Sequence, residues 1–99
     1  MTWIRFIKLY INSDNIATIE KIGNYEISIA TSHGGNAYIP LFVRNEHNQI
    51  IDNPLIENIV DEIFEELLAI LVDNRPHYDI DDNFRKKLAR ENIEYYRLY

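Results

Sequence analysis

Between residues 54 and 72 the chain places apolar side chains in two rows spaced by four. Leu55, Ile59, Ile63, Leu67 and Leu71 form one row, with Ile56, Val60, Phe64 and Leu68 beside it. Rows of that spacing fall on one side of an α-helix, whose turn takes about 3.6 residues. Asp52 and Asn53 offer capping side chains, and Pro54 suits a first helical position, where its missing N–H is no loss. The helix is expected to end near Asp73 and Asn74, before Pro76. A single long helix over 52–74 is therefore predicted, apolar toward a sheet and anionic toward water. At roughly 1.5–3 kcal/mol for each fully buried side chain, the stripe supplies much of the driving force for folding. Chain entropy offsets a large part of it.

The polar side of this helix carries Glu57, Asp61 and Glu65 at successive i, i+4 positions, and Glu62 and Glu66 at another. Like charges at that spacing destabilise a helix by a few tenths of a kcal/mol per pair, roughly. Residues 52–82 hold ten carboxylates against one cation, Arg75, whereas 83–99 are net basic and 1–51 are balanced. Such a face is either a solvated helix surface or a docking surface for a basic partner protein. Arg85, Lys86, Lys87 and Arg90 are available to neutralise part of it internally. A net charge of −6 argues against direct binding to nucleic-acid backbones, which requires cations to neutralise phosphates.

The first half reads as strands joined by turns. Residues 1–11 form one predicted strand rich in Ile, Phe, Tyr and Trp. A turn follows at 12–15, and a second strand covers 16–22. Gly23 and Asn24 then give a hairpin signal before a third strand over 25–31. A longer turn at 32–36 leads into a fourth strand at 37–43. Pro40 cannot donate to a ladder, which places that strand at an edge or a bulge. Residues 49–51 suit a short extension. A C-terminal helix over 80–97, capped by Asp81 or Asp82, is apolar on two sides, and 73–80 is the one candidate hinge. The pattern gives one α+β domain over 1–99: an antiparallel meander of three to five strands, one long amphipathic helix packed on it, and a short C-terminal helix.

With 99 residues, the chain has the size of one domain. It contains no cysteine, which excludes disulfides and zinc–thiolate sites and makes a cytoplasmic setting the expectation. No apolar run is long enough to span a bilayer, and Arg5 and Lys8 interrupt the first residues, unlike a secretory leader.

Motifs that carry chemistry are sparse. Asp79, Asp81 and Asn83 have the spacing of a calcium-loop fragment. Phe84 stands where glycine is required, however, and Arg90 where the bidentate glutamate belongs. His33, His47 and His77 are dispersed. Gly34 and Gly35 precede no helix and no Lys-Ser/Thr pair, so they read as a turn rather than a phosphate loop. No metal or cofactor is implied. Trp3, Phe6, Tyr10, Tyr38 and Phe42 lie on strands apolar on both faces, and Tyr95, Tyr96 and Tyr99 lie near the end of the sequence. These eight serve either intrachain packing or the interface of a homo-oligomer.

The leading expectation is a non-enzymatic interaction module: a regulator, adaptor or inhibitor. It would bind a partner protein through Glu57, Asp61, Glu62, Glu65 and Glu66 and through aromatic surfaces. Were that partner a nucleic-acid-binding protein, the carboxylate rows would suit its phosphate groove. The alternative is a small enzyme or ligand-binding protein with a polar site near His33 and His47, completed at a subunit boundary.

Overall fold

The computed structural model describes residues 1–73 and 75–99. Among the described residues it is an α+β protein with two α-helices, a short 3-10 helix at Ser13–Asn15 and three small sheets. The strands, in chain order, are β1 (Trp3–Phe6), β2 (Leu9–Asn12), β3 (Ile16–Ile22), β4 (Glu26–Thr31), β5 (Asn36–Pro40), β6 (Val43–Arg44), β7 (His77–Asp79) and β8 (Arg97–Leu98). Helix α1 is Pro54–Ile70 and α2 is Ile80–Arg90.

Three strands form the meander. β3, β4 and β5 pair antiparallel in sequence order, with Gly23 (φ 63°) turning the first hairpin and Gly34 (φ 89°) the second. Positive φ at those turns suits glycine, which has no Cβ to clash. β5 lies at the sheet edge and ends at Pro40, where a missing donor breaks no ladder bond. Ile27, Ile29 and Ile39 face inward, fully buried, and share one core with Ile56, Ile59, Val60, Ile63 and Leu67 of α1.

The predicted first strand is two strands. The chain reverses at Ile7 and Lys8, so that Ile4 pairs with Ile11 and Arg5 with Tyr10. Neither residue carries turn chemistry, and Ile7 takes a left-handed φ of 55°, which is rare for a β-branched residue. The reversal moves Tyr10 to the face shared with Trp3 and Arg5. β7, within the segment read as a hinge, pairs parallel with β1, bringing Trp3 opposite His77 and Arg5 opposite Asp79. A single meander is thus too simple: the second three-stranded sheet, ordered β2-β1-β7, is mixed.

Both helices are shorter than their sequence patterns. Asn53 caps α1, accepting a hydrogen bond from the Leu55 N–H at 2.9 Å. The helix stops at Ile70, so Leu71 lies past its end. Of the expected C-terminal boundary, Asp73 lies in a bend and Asn74 lies outside the described residues. α2 is capped by Asp79 rather than Asp81 or Asp82. It ends where Asn92 turns left-handed (φ 54°) and the Ile93 N–H returns to the Leu88 carbonyl at 3.1 Å, a helix-stop geometry that asparagine tolerates. The chain then extends instead of remaining helical to 97, and β8 pairs with β6. α2 packs on α1 and β1, burying Ile80, Phe84 and Leu88. Among the described residues, no helix is long and apolar enough to cross a membrane.

Candidate protein-interaction surface

The acidic face of α1 divides in two. Glu62 and Glu66 turn toward α2, whose cations were spaced to meet them. The Arg90 guanidinium grips both oxygens of Glu62 at 2.9 and 3.1 Å. Lys87 donates to Glu66 at 2.7 Å, as does the Tyr78 hydroxyl. Burial alone would push the Glu66 carboxyl up, but the hydrogen bonds from Lys87 and Tyr78 outweigh it and hold that carboxyl below its usual range. Asp61 is bound by Lys21 of β3. Glu57 and Glu65 make no ion pair among the described residues. Internal pairing therefore relieves the i, i+4 repulsion of the Glu62–Glu66 row and, in the other row, leaves Glu57 and Glu65 on either side of the paired Asp61.

The aromatic set divides as well. Phe6 is only 6% exposed and belongs to the core. Tyr99 is half-buried over it, edge-on at 4.9 Å between ring centroids, and stacks on Phe84 at 6.4 Å. Phe42 packs against Tyr25 at 6.2 Å. These three contacts are intrachain packing. Trp3 and Tyr10 remain 43% and 60% exposed, and Tyr38 and Tyr96 are 63% and 72% exposed. On the hairpin, Trp3 lies opposite Asn12 and Tyr10 opposite Arg5, so the two aromatics are diagonal neighbours on one open face, within reach of each other's rings. A groove of about 220 Å³ runs beside β2, lined on one side by Leu9, Tyr10 and Asn12 and on the other by Thr31, Asn36 and Ala37. Tyr95 and Tyr96 line a shallow hollow of about 310 Å³ with Glu46 and Glu94.

A polar cluster that the sequence did not reveal ties this hairpin to α2. Asp81 is buried. Its carboxylate accepts the strained Ile7 N–H at 2.6 Å and the Tyr99 hydroxyl at 2.5 Å, with Arg5 at 3.7 Å. Asp79 accepts from Arg5 at 2.5 Å and from the Asp82 N–H at 2.9 Å. Burial would raise the Asp79 carboxyl, but the Asp82 N–H and the Arg5 guanidinium hold it low. Tyr99 is pushed up by burial and by its bond to the Asp81 carboxylate. Every strong donor in the cluster meets an acceptor within it, so the group works as a latch between hairpin and helix. The Asp79-x-Asp81 spacing was the visible signal. Its partner, Arg5, is separated from it by most of the sequence.

His33 sits exposed in the β4–β5 turn, and His47 is exposed in another turn, 3.9 Å from Glu46. Neither lines the groove or the hollow. Among the described residues, no group of three or more His, Cys, Asp or Glu side chains is placed to hold a metal ion. What fold and surface define together is a small α+β protein with an open aromatic hairpin. The chain matches no family model, no curated protein and no solved structure.

Proposed function

We propose that the protein is a non-enzymatic interaction module, acting as a regulator, adaptor or inhibitor. It meets a partner protein with the outer face of the β1–β2 hairpin. The observation that carries this reading is the pair Trp3 and Tyr10, solvent-open and diagonal neighbours on one sheet face. Large aromatics with few rotatable bonds are the side chains from which interface centres are built. Glu57 and Glu65 would contribute charge selection for a basic partner, in the manner of a polar rim, with Asp61 between them already held by Lys21. Glu62 and Glu66, already held by α2, contribute less. The test is affinity capture from cells that make the protein, read by mass spectrometry. Trp3→Ser/Tyr10→Ser should lose the bound protein, and Glu57→Lys/Glu65→Lys should weaken it and flatten its salt dependence. Undiminished recovery by the aromatic double variant would overturn the proposal.

A further inference from the structure

β2 and β5 are edge strands of different sheets, and the groove of about 220 Å³ lies between them. Its walls are tied together at one end. The chain leaves β2 through the 3-10 helix Ser13–Asn15, the Asn15 carbonyl accepts the Ser32 N–H at 2.7 Å, and Ile16 then pairs with Thr31. Walls already held by the fold cost a ligand less ordering than walls it must assemble. The volume falls below the roughly 300–1,000 Å³ of drug-sized pockets, which leaves room for one small ring system.

The lining is neutral: among the described residues, no Asp, Glu, Lys, Arg or His contributes to it. Some of its polar groups are already used. Thr31 Oγ1 accepts the Gly35 N–H at 3.1 Å, and Asn12 Oδ1 accepts the Asp14 N–H at 2.9 Å. The carboxamides of Asn15 and Asn36 have no hydrogen-bond partner among the described residues. Two sets of main-chain groups add to them. Antiparallel pairs alternate between bonded and non-bonded. The Ser13 N–H donates to the Thr2 carbonyl at 2.9 Å, so Ile4 with Ile11 and Phe6 with Leu9 are bonded pairs, and the N–H and C=O of Tyr10 point away from β1. The Thr31 N–H donates to the Gly35 carbonyl at 2.8 Å, so Ile29 with Ala37 is a bonded pair, and the N–H and C=O of Asn36 point away from β4. The exposed ring of Tyr10 stands on one wall, and Leu9 and Ala37 supply apolar surface.

We propose that this groove binds an adenine base, free or as its nucleoside. Each feature of the lining selects for part of that chemistry. An open tyrosine ring stacks on the face of any base. An N–H beside a C=O on one residue, or the two ends of a carboxamide, present a donor next to an acceptor. Adenine offers the complement on two edges, its N6 amino group beside N1 and beside N7, and asparagine pairs with the second of these bidentately. The main-chain pairs of Tyr10 and Asn36 are fixed, so they reject hypoxanthine, in which a carbonyl replaces the amino donor. Phosphate is excluded by charge. No cation lines the groove, and a chain of net charge −6 gives an anion no compensation. The ligand is therefore the unphosphorylated form. Tyr10 belongs to both the groove and the aromatic face, whereas Asn36 belongs to the groove alone. The inference does not depend on the partner-protein reading.

The experiment is titration of the full chain with adenosine, from about 10 μM to about 10 mM, followed by amide and side-chain carboxamide NMR shifts. Saturable shifts should appear at the Tyr10 and Asn36 amides and at the carboxamides of Asn15 and Asn36. Inosine should bind roughly tenfold more weakly, and adenosine monophosphate no more tightly than adenosine. Asn36→Ala and Tyr10→Leu should each weaken adenosine roughly tenfold, with amide shifts outside the groove unchanged. An absence of shifts up to the highest concentration overturns the proposal. Equal affinity for inosine, tighter binding of the monophosphate, or shifts clustered away from β2 and the β4–β5 turn overturn it as well. So does full affinity in a folded Asn36→Ala variant. None of these outcomes alters the capture of a partner protein, so the two readings fail separately.

Discussion

The two three-stranded sheets share a strand number but are held by different forces. In β3-β4-β5 every pairing joins neighbours in sequence, and the inner face is isoleucine locked into the apolar stripe of α1. In β2-β1-β7 the parallel pair joins the first strand to one more than seventy residues later, and part of its attachment is ionic: Arg5, Asp79, Asp81 and Tyr99 hold the hairpin to α2. Apolar packing is indifferent to pH and to the identity of distant charges. A carboxylate latch depends on both. The meander is thus the part that folds on local pattern, and the hairpin sheet the part whose attachment conditions can alter.

Removing apolar volume should have the largest effect. Leu67→Ala empties a fully buried position in the shared core and should lower unfolding free energy by about 2–5 kcal/mol, read by urea denaturation. Next is the latch. Asp81→Ala leaves the Tyr99 hydroxyl and the Ile7 N–H without their acceptor, which should lower stability by roughly 2 kcal/mol. Amide exchange should quicken in β1 and β2 before β4. Uniform quickening across both sheets would break the distinction between them.

Acid should separate the sheets in the same order. Asp79 and Glu66 both titrate below their ordinary values of 3.8 and 4.5 in the folded chain. Their contribution is therefore complete above those values and lost as pH falls through the lower folded ones. Stability should decline on acidification from about pH 5, and Asp79→Asn should flatten part of that decline. Full pH dependence retained in Asp79→Asn would remove the Arg5–Asp79 pair from this account. The smallest effect concerns Ile7. Ile7→Asn keeps the N–H for Asp81 and accepts the left-handed conformation, so it should raise stability by about 0.5–1 kcal/mol. A lower melting temperature would show that the half-exposed isoleucine side chain contributes more than its backbone strain removes.

Legibility follows the same division. β3 has the bounds its alternation gave, the Gly23 turn falls where a hairpin was expected, and Asn53 and Pro54 begin α1. Each is a local signal, carried by a few neighbouring residues. The reversal at Ile7 and Lys8 was invisible because its residues favour extended structure. The conformation is held by Asp81, a contact no window of sequence contains. The end of α2 was overestimated because Tyr95 and Tyr96 continue an apolar spacing, whereas Asn92 and the pairing of β8 with β6 draw the chain out of the helix. Among the candidate site residues, the carboxylate rows of α1 were readable as rows. Which carboxylates are paired was not, because Lys87 and Arg90 lie on another helix.

What the sequence by itself determined is the existence of α1, the turns at glycine, the acidic bias and the absence of thiol chemistry. All of these depend on side-chain type and on periods of a few residues. Only the tertiary structure decided which aromatics stay exposed, which carboxylates are neutralised, and that β7 completes the hairpin sheet. Those outcomes depend on which distant groups share a face, and in a chain of this size burial and charge pairing are set by that long-range meeting rather than by neighbours in the chain.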